Sequence, residues 1–445
     1  MKAFLRRALV LATTVTAAAC ATSGAPERVQ VATALDERTG ATAKGLAPAD
    51  TRTWSAPPGT SIEDGLSIDE AVAIALWNNP DFQVALTSLG IARADLIEAG
   101  TLKNPVFSLL FPWGPKQLEF TLTWAVDAIW QRPKRIANAR LNGEAAAQQL
   151  VAGGLRVVAD VRLAFFEALV SDRRLALTAD LAGYSAQAAK LAEGQLRAGE
   201  ISEFEASLAR ADALRLEATR LSRVTAREVA VVRLRALLGL EAAAPALRLI
   251  EPAVMVTDEC GTGTMLVESA LAARPEVRAA ELQMEAAGAR AGLEQAKIWN
   301  LTASLDANAR GSQGFEMGPG LAVELPILNQ NQGGRARAAA EIEQTARRYI
   351  AVRSTIAAEV AAAFAGLTEA RATASLLGDE VAGVLTRARG QAEGLFKAGE
   401  ISLLDLLMTR QRLIDIEATR LDAAFAVNRA VVRLEQAIGR SCRTR

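Results

Sequence analysis

The chain has 445 residues, 51% hydrophobic, 22% charged and 4% aromatic, and its fifty basic residues balance fifty acidic ones. That apolar content excludes wholesale disorder, and without a basic excess a nucleic-acid binder is disfavoured. Histidine is absent altogether, which removes the commonest general base and metal ligand, and three cysteines fall short of a four-ligand zinc cluster. Gly311–Gly320 lacks the Lys-Ser/Thr ending of a phosphate-binding loop. The composition therefore points away from an enzyme, with no cofactor and no nucleic acid expected.

The first nineteen residues read as a secretory signal. Lys2, Arg6 and Arg7 precede a short apolar stretch, Ala8 to Thr16, and small residues close it. Ala17-Ala18-Ala19-Cys20 resembles a bacterial lipoprotein processing box, which makes Cys20 the expected lipidated first residue of the mature chain; an ordinary signal cleaved nearby is the alternative. Removing the signal leaves 47 basic against 50 acidic residues, a net charge of −3. Residues 20–65 are rich in Thr, Ala, Pro and Gly and read as a flexible, lipidated tether. No later run reaches the ~18 apolar residues of a membrane helix.

From residue 66 the chain is a tandem repeat at an offset of 200. Residues 192–202 read AEGQLRAGEIS and residues 392–402 read AEGLFKAGEIS; 21 of the 48 positions in 192–239 recur in 392–439. A period this long means two copies of one structural half, 66–240 and 264–440, joined by a linker at 241–263 and followed by a short tail at 441–445. Each half opens with a helix, about 67–103 and about 264–299, interrupted early by Pro80 and Pro275. A longer helix follows, about 134–196 and about 334–396, and 63 residues of helix span about 95 Å. A third runs about 202–239 and about 402–439. Leu177, Leu181, Tyr184, Ala188 and Leu191 step by four and three, the period of a left-handed coiled coil.

Between the first and second helices the period changes to two. Leu118, Phe120, Leu122 and Trp124 alternate with Gln117, Glu119, Thr121 and Thr123, and residues 301–309 alternate in the same way. Each half therefore contributes one hairpin, near 106–125 and near 301–327. Such strands fit a transmembrane barrel with a wet lumen. Four strands cannot close one, and an open edge in lipid is not tolerated, so several chains would have to share it.

This order of elements resembles the TolC-type outer-membrane efflux protein family. The matching residues are Asn79-Pro80, Asn104-Pro105, the turns at 196–202 and 396–402, and Leu325-Pro326-Ile327-Leu328-Asn329-Gln330-Asn331-Gln332-Gly333, which is most similar to the heavy-metal (cobalt–zinc–cadmium) branch. Ile129-Trp130-Gln131-Arg132-Pro133 departs from the family's Gly-rich stretch there. The resemblance implies a mainly α fold with a small β part, two repeats of coiled-coil helices each with a hairpin, and a homotrimer forming a 12-stranded β-barrel on a periplasmic α-barrel. It implies a passive outer-membrane exit duct for metal cations or drugs, lipid-anchored and extending into the periplasm, with a periplasmic adaptor and an inner-membrane pump as partners. A periplasmic coiled-coil scaffold or adaptor is the alternative, but it needs no amphipathic strands.

The resemblance also assigns roles to residues. Gly199 and Gly399 supply tight helix ends, and Ala198, Gly199, Glu200, Ile201 and Ala398, Gly399, Glu400, Ile401 form the expected adaptor-docking tip. Glu205 and Asp405 would line the periplasmic aperture, with Arg210 and Arg410 as partners; favourable charge in a first helical turn is the other reading of the acids. Cys260 and Cys442 fall near each other in the family and can form a disulfide, or stay two separate thiols. No metal-binding residues are expected.

Overall fold

The computed structural model describes residues 25–39, 45–48, 53–62, 64–111, 113, 118–240, 247–251, 261, 263–309 and 314–442. In chain order the elements are α1 (Arg28–Thr39), α2 (Ile68–Asn78), α3 (Pro80–Leu86), α4 (Ser88–Gly100), β1 (Val106–Leu110), β2 (Leu118–Ala125), α5 (Asp127–Ala198), α6 (Glu203–Leu237), α7 (Gly263–Ala273), α8 (Pro275–Ala296), β3 (Leu301–Ala309), β4 (Phe315–Val323), α9 (Gln332–Leu376), α10 (Asp379–Lys397) and α11 (Leu403–Ile438). The helix–hairpin–helix–helix order occurs twice, as the repeat predicts. Two compact units result. One takes Val84–Ala152 and Arg274–Thr355 with the start of the chain; the other takes Ala32–Gln83, Gly153–Ala273 and Ile356–Arg445.

The first unit holds one four-stranded antiparallel sheet, β1-β2-β3-β4. The two hairpins join through β2 and β3, with Phe120 opposite Ala307 and Leu122 opposite Leu305. In the second unit the core is built around Phe165 and Phe166, both fully buried, their rings 6.4 Å apart edge to face, with Phe425 against Phe166. Leu234 and Leu434, equivalent positions of the two repeats, are also fully buried.

Several boundaries differ from expectation. The single opening helix over 67–103 is three short ones. Asn79 precedes Pro80 and takes φ −58°, ψ 120°, because the proline ring excludes the helical region for its predecessor. Arg274 before Pro275 does the same, with φ −69°, ψ 128°, and splits α7 from α8. The long helix of the first repeat starts at Asp127 rather than 134 and runs through Pro133, at the loss of one backbone hydrogen bond. Its counterpart breaks at Gly378, where φ −74°, ψ −146° leaves the helical region. One 18-residue window within Gln332–Lys397 is apolar enough by length and composition to cross a membrane, with mean hydropathy 1.5. The expectation of no such run is set by large apolar side chains, whereas this stretch is rich in alanine, which also raises the mean hydropathy.

The tether reading of 20–65 also needs correction. α1 lies in it, with Val31 and Leu35 buried. Leu35 fits because Gly154 on α5 has no side chain: a Cβ there would stand 2.7 Å from Leu35 Cδ1. Burying one leucine contributes about 1.5–3 kcal/mol. The end of α1 is held by Arg162, which donates to the Thr39 carbonyl (3.4 Å) and to Glu435 (2.8 Å). The Ser441 amide donates to the Arg38 carbonyl at 2.7 Å. Trp54 donates its indole N–H to the Leu238 carbonyl at 3.2 Å. The linker at 241–263 is likewise partly fixed, since Leu66 and Leu249 form a parallel bridge.

Candidate functional site

The sheet has two chemically distinct faces. Register places Phe107 and Leu109 of β1, Leu118, Phe120, Leu122 and Trp124 of β2, Leu301, Ala303, Leu305 and Ala307 of β3, and Phe315, Met317, Pro319, Leu321 and Val323 of β4 on one side. All are apolar. Phe107 and Phe120 lie 6.1 Å apart by ring centroid, and Phe120 reaches Phe315 at 6.0 Å across the buried Ala307. The small residue on β3 lets rings from β2 and β4 meet over it. The opposite face carries Ser108, Glu119, Thr121, Thr123, Thr302, Ser304, Asp306, Asn308 and Glu316, interrupted by Val106 and Leu110 of β1. Its described charged residues are all acidic. Ser304 donates to Asp306 at 3.3 Å.

Each repeat carries an Ala-Gly-Glu-Ile-Ser turn between its long helix and the helix that follows, at 198–202 and 398–402. Gly199 and Gly399 both take φ +74°. The Gly199 amide donates to the Leu196 carbonyl at 3.0 Å and the Glu200 amide to Gln195 at 2.8 Å; Gly399 and Glu400 repeat this with Phe396 and Leu395. This satisfies the last carbonyls of α5 and α10, and a side chain at the glycine would be strained. Ala198 and Ala398 sit just before these glycines, and Ile201 packs on Ala192, Ala206 and Ala209. Glu200 and Glu400 are exposed, and Ile401 is partly covered.

Glu205 and Asp405 occupy the third positions of α6 and α11, and each closes a capping box. Glu205 accepts from the Ser202 amide (2.9 Å) and hydroxyl (2.8 Å). Asp405 accepts from the Ser402 hydroxyl (2.6 Å) and amide (3.2 Å). The Ser202 amide, then its hydroxyl, hold the Glu205 carboxyl below its ordinary value; for Asp405 the Ser402 hydroxyl leads. Both acids therefore serve helix starts, the alternative raised from sequence.

Of the two arginines expected as their partners, Arg410 is engaged with other groups. Arg410 bonds Glu393 at 2.7 Å and lies 3.8 Å above the Tyr184 ring. Arg210 is exposed on α6. The two differ because Tyr184 has Val384 as its counterpart, so the platform exists once. That aromatic sits in the coiled-coil pattern of α5, where periodicity accounts for it as core and hides its second contact.

Cys20 and Cys260 lie outside the described residues. Cys442 is disulfide-bonded, and its partner lies outside them too. Among the described residues no group of three or more Cys, Asp or Glu could hold a metal ion. The missed signal is the strand-to-helix junction of the second repeat. Asn331, at φ +57°, donates to the Glu294 carbonyl (2.9 Å) and carboxylate (2.8 Å), and a Cβ on Gly334 would meet both side chains. The Asn-Gln-Gly-Gly run is therefore a packed elbow.

The family described as outer membrane efflux protein matches residues 266–440. The cobalt-zinc-cadmium resistance protein CzcC of Cupriavidus metallidurans is 24% identical over 382 residues, 84% of this chain and 90% of that protein. Among solved structures, a membrane protein from Pseudomonas aeruginosa superposes with TM-score 0.71 at 20% identity, covering 91% of this chain and 96% of that one. VceC from Vibrio cholerae gives 0.68 at 18%, covering 84% and 97%. CusC also gives 0.68 at 18%, covering 88% and 96%. The second repeat thus matches the outer membrane efflux protein family, and the fold of these channels extends over both repeats.

Proposed function

We propose that three copies of the chain close one 12-stranded barrel in the outer membrane, the exit duct of a tripartite efflux system for metal cations. The observation that carries this reading is the sheet with one wholly apolar face, one mainly polar face, and outer edges on β1 and β4 unpaired among the described residues. An open edge in lipid leaves backbone groups unsatisfied, and known barrels start at about eight strands. Copies that share their edges resolve both constraints. The acidic lumen face suits cations. The cargo follows the cobalt-zinc-cadmium resistance relative.

The two glycine turns would meet a periplasmic adaptor, which couples the duct to an inner-membrane pump that supplies the energy and selects the substrate. Glu205 and Asp405, six to a trimer, would stand at the aperture as well as capping their helices. Cys20 would carry lipid, and Cys260 would pair with Cys442. The domain limits would be a signal at 1–19, repeats at 66–240 and 264–440, and a linker at 241–263. Cells lacking the protein should accumulate cobalt, zinc and cadmium and regain export with the intact gene. Accumulation of organic compounds alone would refute the cargo, and no change in either would refute the duct. Cys20→Ser should abolish fatty-acid labelling; labelling that persists refutes the anchor.

A further inference from the structure

Where β4 ends, its apolar row does not. Leu321 and Val323 are followed on the same alternation by Leu325 and Ile327, and Leu325, Ile327 and Leu328 are 68%, 74% and 91% exposed. Trp299, two residues ahead of β3, is 53% exposed. Tryptophan at the level where apolar strands give way is the mark of a membrane–water boundary.

The same junction holds a cavity of 850 Å³ whose lining is mixed in character. Leu325, Ile327 and Leu328 line it together with Lys103, Lys297 and Asn300. Two carboxylates also line it, but both have donors: Glu324 accepts from Asn300 at 2.7 Å, and Asp127 from Gln131 at 3.0 Å. Lys103 is exposed, Lys297 keeps 43% exposure beside its Glu294 partner, and Arg335 and Arg337 are exposed in the first turns of α9. An aliphatic lip beside ammonium groups matches a phospholipid, with phosphate over acyl carbons, better than a wholly polar or wholly apolar occupant.

We infer that this elbow seats an anionic phospholipid of the leaflet at the helical end of the sheet. Leu325, Ile327 and Leu328 lie among the first acyl carbons, and Lys103 and Lys297 meet the headgroup phosphate. The inference rests on the sheet being a barrel wall, so the test separates the two. Full-length protein in nanodiscs of phosphatidylethanolamine and phosphatidylglycerol is labelled with an environment-sensitive fluorophore after Leu328→Cys, Leu321→Cys or Arg347→Cys. Lipids carrying a nitroxide quencher at shallow or deep positions are then added. The Leu321 position should lose fluorescence to the deep quencher, the Leu328 position to the shallow one, and the Arg347 position to neither. Lys103→Gln with Lys297→Gln should remove the preference for retained phosphatidylglycerol over phosphatidylethanolamine, read by mass spectrometry of the bound lipid. An unquenched Leu328 position beside a quenched Leu321 overturns the lipid seat, because a second copy or another protein then covers the lip. An unchanged lipid preference overturns the headgroup contact. An unquenched Leu321 position removes the barrel reading itself.

Discussion

Replacing Arg162 by Met tests how the ends of the chain are fastened. Arg162 and Glu435 have side chains 4% and 5% exposed and meet at 2.8 Å. Glu435 also accepts from the Ser441 hydroxyl (2.9 Å) and the Cys442 amide (2.8 Å), both on its other oxygen. Arg162→Met leaves one carboxylate oxygen buried without its cation. Removing one partner of a buried pair costs about 3–5 kcal/mol. The two surviving donors place the loss at the lower end, ~3 kcal/mol, or about 100-fold in a local opening equilibrium. Hydrogen exchange at the Ser441 amide reads this directly, because that N–H is held by the Arg38 carbonyl rather than by either mutated side chain. Its protection should fall by about 100-fold in Arg162→Met. Adding Glu435→Leu should recover most of it, since a well-packed apolar pair can replace a buried ion pair. Unchanged protection in the single variant, or a double variant worse than both singles combined, would refute the reasoning.

Gly154→Ala should loosen α1 by about 1–3 kcal/mol through overpacking against Leu35, whereas Gly153→Ala meets nothing within 4 Å and should be harmless; amide protection across α1 compares them. Because the Asp405 pKa is lowered on folding, the stability it adds is present above its ordinary value of 3.8 and is lost as pH falls through the lower folded value. Ser402→Ala should raise that pKa toward 3.8, read by carboxyl NMR titration. Arg410→Lys should destabilise by about 1–2 kcal/mol, from lost stacking on Tyr184 and a weaker bond to Glu393. Arg210→Lys should leave the melting temperature unchanged.

Most of the architecture is legible in the residues because two signals reinforce each other. The repeat at offset 200 doubles every periodic element, and the change of period at 118–124 and 301–309 sets strands apart from helices. The two-faced sheet follows from alternation alone. Its order does not, because the pairing of Phe120 with Ala307 joins residues far apart in sequence. α1 is hidden for a related reason: its two buried anchors, Val31 and Leu35, sit among Thr, Ala and Pro that read as linker, and the glycine that admits Leu35 is 119 positions away. At the turns, the serine three residues before each acid already spells a capping box. The partnership of Arg410 with Tyr184 needs two helices of different repeats side by side, which no local pattern encodes.

A closed barrel requires that copies of the chain share their sheet edges. Native mass spectrometry of the protein, extracted in mild detergent with its β-structure checked by circular dichroism, should give three chains per particle and no folded single chain. A stable monomer that keeps its β-signal would contradict it.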